Sequence, residues 1–449
     1  MSAASSEKPN ILFIFSDQQR WDSVSCYENP IYPGLTPNLD DMASRGVRFD
    51  RAFTPQPVCG PARSCIQTGR WATETGCFTN GIALPTEERT IAHMLSESGY
   101  SVNYIGKWHL ASNRREGINY RSRPIPPELR GGYRDYWLAS DVLEFTSHAY
   151  DGHMFDGGMN TVEFPENRYR VDCLTDFALE RIRDLVGGDP FFLFLSYIEP
   201  HHQNDHSRFE GPIGSRERYG DFEPPGDLEG ANGDWDREMP DYLGAINSLD
   251  SSVGRLRSEL QDLGISDSTL VIYTSDHGCH FRTRNLEYKR SCHDSSIRVP
   301  MVMLGPDFGG GRVVEDLVSL LDLPPTILRA AGVDRPAQMR GYPLQDVMDS
   351  PTDWREEIFT QISESQVGRA IRTRRWKYSV RDPEKNGSKH RYSRSYVEDF
   401  LYDLDSDPHE SNNLVDDPEY SDIRSRLGAV LSRRCVEAGE VKPKITRRV

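Results

Sequence analysis

Short, almost continuously apolar runs recur along the chain, each about the length of one strand. They fall at 11–15 (ILFIF), 102–105 (VNYI), 191–197 (FFLFLSY), 270–274 (LVIYT) and 299–304 (VPMVML). Runs this short that carry no polar alternation read as strands buried on both faces. Amphipathic stretches lie between them. One is capped by Thr36 or Asn38 and runs through 41–44 to Gly46; another opens at Thr90 and covers 92–98 up to Gly99. Longer helical patterns span 171–185 and 242–263. The alternation predicts an α/β fold: a large, mostly parallel sheet sandwiched by helices.

The pattern changes near residue 345. Residues 349–353 (DSPTD) read as a linker, followed by short strand-like runs at 358–362, 369–372, 377–380 and 400–402 and a final helix over 420–436. The expected division is therefore a catalytic domain over 1–348 and a smaller α+β subdomain with an antiparallel sheet over 349–449. Residues 203–240, rich in Gly, Pro, Asp and Glu, read as a long surface insertion. No internal repeat is visible.

Four of the apolar runs end in polar residues: Ser16-Asp17-Gln18, Gly106-Lys107-Trp108-His109, Glu199-Pro200-His201-His202 and Ser275-Asp276-His277-Gly278. Parallel α/β sheets bind ligands at the carboxyl ends of their strands, so these four clusters are expected to converge.

The net charge of −16 argues against general nucleic-acid binding, and an anionic substrate would need a local cationic pocket working against the global field. No run approaches a membrane span, and 11–15 is too short for a signal-peptide core. The chain as given is thus expected in the cytoplasm, or in the periplasm or medium if a leader was trimmed. Its eight cysteines are scattered without paired CxxC spacing.

One cysteine stands apart. Cys59-Gly60-Pro61-Ala62-Arg63 continues to Thr68-Gly69-Arg70. Pro61 suits the first turn of a helix, which would put Cys59 just before a helix N-terminus, where free N–H groups favour an anion. The stretch resembles the signature of the type I sulfatases, within the alkaline phosphatase superfamily. That resemblance implies oxidation of Cys59 to formylglycine by a maturation system, hydration of the aldehyde, and attack of one hydroxyl on sulfur. Ala62 replaces the usual Ser, outside the Cys, Pro and Arg on which maturation depends.

The resemblance extends to about residue 414. Asp17, Gln18, Asp276 and His277, with residue 59, match the positions that hold one divalent metal, calcium being usual. Gln18 stands where Asp is commoner, which leaves manganese, magnesium or zinc open. Gly106-Lys107-Trp108-His109-Leu110 matches another family motif, in which Lys107 steadies the formylglycine and sulfate and His109 deprotonates the second hydroxyl. His201 matches a substrate-binding histidine able to protonate the leaving oxygen, with His202 beside it. Lys289 matches a sulfate-binding lysine, Arg290 adjoins it as a further substrate contact, and Arg63 would hold the formylglycine oxygens. Leu401-Tyr402-Asp403-Leu404 and the following Asp407-Pro408, Glu410 and Asn413-Leu414 resemble the family's C-terminal segment.

The implied function is hydrolysis of a sulfate monoester on a small, sulfated saccharide. The saccharide rests on polar and aromatic residues outside the motifs, including Trp137, His148, His153, Trp235 and His390, as candidate walls of a leaving-group pocket. Two alternatives stay open. Cys-Gly-Pro-Ala-Arg with Gln18 and His277 also resembles phosphonate monoester and phosphodiester hydrolases, against which Gly-Lys-Trp-His favours a sulfatase. A catalytically silent binding protein of the same fold would leave Cys59 unmodified.

Overall fold

A computed structural model describes residues 8–349 and 353–448. Among the described residues the main sheet has eleven strands. Its centre is parallel, in the order Thr269–Ser275, Asn10–Ser16, Phe191–Ser196, Ser101–Lys107 and Tyr136–Ser140. Strand Asn10–Ser16 shows why an unbroken apolar run is needed here. Ile11, Phe13 and Phe15 enter one core, while Leu12 and Ile14 enter another on the opposite face. The first core is closed by Ile66, Leu95 and Ile327 from helices Cys59–Thr68, Ile91–Glu97 and Leu323–Ala330. The second is closed by Leu39, Leu174 and Leu249 from helices Pro37–Arg45, Arg170–Leu185 and Trp235–Asp262.

The flanks are mixed. The run at 299–304 is not one strand: Pro300 separates Arg298–Val299 from Met301–Leu304, and the latter pairs antiparallel with both Thr269–Ser275 and Val47–Phe53. Arg312–Ser319 lies parallel to Val47–Phe53, and the far edge is the antiparallel pair His153–Asp156 and Thr161–Glu163.

Strands Glu357–Ile362, Val367–Thr373, Trp376–Asp382 and Ser395–Asp403 form a second, antiparallel sheet, extended by Lys444–Thr446 in parallel. Helix Ser421–Glu437 covers it through Leu427, Leu431 and Cys435. Cys65, Trp71 and Leu321 from the larger part join that core. Of the expected linker, Asp349 ends helix Leu344–Asp349, and Ser350, Pro351 and Thr352 lie outside the described residues.

The stretch 203–240 departs from a surface insertion. Phe209, Tyr219, Leu228 and Met239 are buried with Tyr242, Phe281 and Tyr288, and the long helix begins at Trp235, ahead of the 242 that periodicity suggests. Sparse apolar residues in a polar stretch carry no period, yet each is an anchor. No described helix is long and apolar enough to cross a membrane.

Candidate functional site

The carboxyl ends of three parallel strands, Thr269–Ser275, its neighbour Asn10–Ser16 and, one strand further on, Ser101–Lys107, deliver Asp276, Asp17 and Lys107 to one point. Gly106 allows the approach: its φ is 106°, and a Cβ there would lie 1.9 Å from the Ser196 carbonyl oxygen. Helix Cys59–Thr68 points its first turn at the same place. Cys59 is the first helical residue and Val58 the cap, one position further in than expected from Pro61. The Gly60 amide donates to Asn80 Oδ1 at 2.9 Å, which satisfies one of the helix's free donors.

Cys59 Sγ lies 3.3 Å from Asp17 Oδ1, 3.2 Å from His277 Nε2 and 2.9 Å from Lys289 Nζ. Arg63 Nη2 donates to Asp17 Oδ2 at 3.0 Å, its Nη1 donates to the Lys107 carbonyl and to Ser196 Oγ, and its Nε faces Asp276 Oδ2 at 3.7 Å. Lys107 Nζ bridges Asp17 Oδ2 at 3.0 Å and Glu144 Oε2 at 3.2 Å. Lys289 Nζ also donates to Gln18 Oε1 and to His201 Nε2, both at 3.1 Å. All four strand-end clusters therefore meet, joined by the helix and by Lys289.

The electrostatics follow from burial. Burial opposes ionisation of Asp17, but the Lys107 and Arg63 charges hold its carboxyl well below the usual range. Asp276 goes the other way: burial and the Asp17 charge push it up to about 7. Its Oδ2 has no hydrogen-bond partner. His277 donates Nδ1–H to the Gly278 carbonyl at 2.9 Å, which turns the Nε2 lone pair toward Asp17, Cys59 and Asp276. Donor atoms of Asp17, Cys59, Asp276 and His277 lie within 4.8 Å of one another, all buried. Two carboxylates with an orphaned oxygen and an imidazole lone pair make a donor set that a divalent cation satisfies.

The centre lines a cavity of about 290 Å³, whose walls include His109, Glu144, His201, His202, Tyr288 and Arg290. His109 Nδ1 has no partner, and burial with the Lys107 and Arg63 charges holds the ring well below its ordinary pKa. His202 packs on the Tyr288 ring, and burial with Lys289 lowers it to about 4. Arg290 is paired with Glu287 and Glu364.

Of the residues offered as leaving-group walls, Trp137, His148, His153, Trp235 and His390 do not line this cavity. Trp137 is core, packed on Tyr104 and Trp108. His148 pairs with Asp151 and Asp205, Trp235 packs on Phe222, and His390 is exposed. The walls instead carry Asn80, Arg121, Glu144, Phe145, Asn204 and Arg282. Glu144 and Phe145 lie in a short helical turn and the other four in turns, and none of them stands in a motif.

A buried cationic cradle against a carboxylate–imidazole metal pocket, at the strand ends of an α/β sheet, defines a hydrolase of anionic esters. The chain belongs to the sulfatase family: the model described as Sulfatase matches residues 9–333, and one described as N-sulphoglucosamine sulphohydrolase, C-terminal, matches residues 285–437. It is 30% identical over 455 residues to "Uncharacterized sulfatase YidJ" of Escherichia coli, with 94% of this chain and 86% of that protein covered. It is 23% identical to an N-acetylglucosamine-6-O-sulfatase of Bacteroides thetaiotaomicron, covering 95% of this chain and 86% of that protein. A protein solved with its substrate D-glucosamine-2-N,6-O-disulfate superposes with a TM-score of 0.77 at 22% identity, covering 96% of this chain and 98% of the other. A phosphonate monoester hydrolase from Silicibacter pomeroyi superposes at 0.69 with 21% identity, covering 96% of each. The protein is a sulfuric ester hydrolase.

Proposed function

We propose that this protein hydrolyses a sulfate monoester of a saccharide with a formylglycine made from Cys59 and one divalent ion, calcium being the first candidate. The reading rests above all on the position of Cys59, which lies within hydrogen-bonding reach of Asp17, His277 and Lys289 beside the cavity. Left as a thiol, this side chain is a poor nucleophile, because burial and Asp17 push it up to about 12. Converted to the hydrated aldehyde, it supplies the hydroxyl that attacks sulfur.

Asp17, Asp276, His277 and residue 59 would hold the ion, with Gln18 adjoining them through Lys289. When bound, it supplies Lewis-acid stabilisation of the sulfuryl oxygens. Arg63 fixes Asp17, and Lys107 brings a buried positive charge to the same carboxylate, so both shape the cradle for the anion. Lys289 and His201 face the leaving oxygen, while His202 and Arg290 form the wall beyond them. His109, held neutral with a free nitrogen, takes the proton of the second hydroxyl when sulfate departs.

Relatives that act on sulfated glucosamines support the saccharide, as does a cavity lined by Glu144, Asn204 and Arg282, polar groups suited to sugar hydroxyls. We place the catalytic unit in residues 1–348 and the smaller unit in 349–449. Maturation requires a formylglycine-generating partner. The test is mass spectrometry of the Cys59 peptide together with a screen of defined sulfated sugars and a phosphonate monoester. Turnover of the phosphonate alone would favour the phosphonate hydrolase reading. An unmodified Cys59 with no turnover would leave a silent binding protein.

A further inference from the structure

Four non-glycine residues that line the catalytic cavity hold left-handed backbone: Gln18 at φ 69°, His109 at 60°, Arg282 at 64° and Arg290 at 69°. That conformation costs stability in a residue with a Cβ, and it clusters at active sites and ligand clamps. Gln18, His109 and Arg290 already have places in the site. Arg282 has none that needs its charge. Phe281, just before it, is left-handed too, at φ 47°, and its ring is buried against Phe209 and Tyr242. The buried ring anchors a turn that delivers the next side chain to the cavity.

The Arg282 guanidinium lies over the Tyr288 ring, 4.7 Å from its centroid, and the His202 ring is 4.6 Å from that same centroid. The one carboxylate within ion-pairing distance of Arg282 among the described residues is Asp234, whose Oδ2 is 3.5 Å from Nε. That oxygen already accepts the Tyr288 hydroxyl at 2.7 Å and lies 4.0 Å from Arg237 Nη2. The other cations at the centre of the wall are committed: Lys289 to Cys59, Gln18 and His201, and Arg290 to Glu287 and Glu364. Arg121, which also lines the cavity, is exposed and lies over the Phe145 ring at 4.9 Å. In a chain of net charge −16, the solvent side of this cavity therefore carries uncommitted positive charge.

We propose that Arg282 is a specificity-determining residue that binds a second anionic group on the sugar, a further sulfate or a carboxylate, while the scissile sulfate sits at residue 59. A guanidinium held over an aromatic ring keeps its N–H fork free, and that fork fits carboxylate and sulfate oxygens alike. The assignment rests on the saccharide reading of the site.

The matured full-length enzyme would be assayed on sets of sugar sulfates that share one scissile ester and carry, at each other ring position in turn, a neutral group, a sulfate or a carboxylate. Wild type should favour a dianionic member over its neutral counterpart by about 3- to 30-fold in kcat/KM, read mainly in KM, as for a charged hydrogen bond that keeps part of its water. Whether the sulfate or the carboxylate arm gains identifies the group. Added salt should shrink the preference. Arg282→Asn, a residue that tolerates left-handed backbone, should erase it, and Arg282→Lys should restore part of it, with melting midpoints checking that both fold. Equal kcat/KM for neutral and dianionic members throughout the wild-type sets, or equal losses on both in Arg282→Asn, would overturn the assignment and leave the saccharide reading standing. Turnover of nitrophenyl sulfate but of no sugar would overturn both.

Discussion

His201→Ala separates proton delivery from sulfate binding. In the protein His201 Nδ1 donates to the His202 carbonyl at 2.6 Å, and Nε2 receives Lys289 at 3.1 Å. The ring is thus neutral, with its one proton turned away from the cavity, because burial and the Lys289 and Lys107 charges hold it well below the ordinary pKa. The proton on the Lys289–His201 axis sits on the lysine. Breaking a sugar sulfate expels an alkoxide, which needs that proton; breaking nitrophenyl sulfate expels a stable phenolate, which does not. Removing His201 leaves Lys289 one partner fewer to aim it at the leaving oxygen. General acid catalysis contributes about 100- to 10,000-fold, or roughly 3 to 5 kcal/mol at 1.36 kcal/mol per decade. His201→Ala, which leaves Lys289 in place but less well aimed, should lower kcat/KM for a sugar sulfate by up to that range and largely spare nitrophenyl sulfate. Because the folded pKa is held well below the ordinary imidazole value, the wild-type profile on the sugar should lack an imidazolium limb at that ordinary value. Equal losses on the two substrates would refute the assignment and leave His201 as a sulfate-binding group only.

Three shorter tests follow. Cys59→Ala should abolish turnover without lowering the melting midpoint by more than about 1 kcal/mol equivalent, since a small buried side chain is replaced by a smaller one; retained activity would end the formylglycine reading. Asp17→Ala and Asp276→Asn should each cut bound divalent metal and kcat together, measured by elemental analysis beside a sulfatase assay; unchanged metal content would remove those residues from the pocket. Glu410 is buried against Lys377 and Asp294, and burial with the Asp294 charge raises it to about 7. A carboxyl raised on folding contributes stability that is present below its unfolded pKa and lost as pH rises through about 7, so Glu410→Gln should flatten that loss in denaturant titrations at pH 5.5 and 8.5; parallel curves would contradict it.

What the sequence disclosed follows from burial. Strands 11–15, 102–105, 191–197 and 270–274 were legible because both faces of each are covered, so polarity appears only where the strand ends, and those ends are the site. Val47–Phe53 and Arg312–Ser319 were not legible, because VRFDRAF and RVVEDLVS carry charges on partly exposed positions and resemble loop. Thr90 announced its helix through a real cap, its side chain accepting from the His93 amide. Motif spacing found Asp17, Cys59, Arg63, Lys107, His201, Asp276, His277 and Lys289, whose side chains meet. It could not find Glu144, which has no motif around it. Nothing local marks that glutamate except the lysine it faces, and that contact exists only after the 101–107 strand and the 143–145 turn pack together.

Glu144 bears on how an acidic protein holds an anion. Lys107 is fully buried between Asp17 and Glu144, and Arg63 is fully buried between Asp17 and Asp276, so neither cation stands free to capture sulfate by itself. Counted over these groups, Arg63, Lys107 and Lys289 offset Asp17, Asp276 and Glu144. The cradle is therefore close to neutral as folded, despite the net −16 of the chain. A divalent ion between Asp17 and Asp276 would take over part of the charge those carboxylates now share with Arg63 and Lys107. It would thus turn a self-satisfied network into one that attracts an anion. On this account the carboxylates proposed to hold the ion are the same ones that silence Arg63 and Lys107, so loading the site would free part of both cations for the substrate.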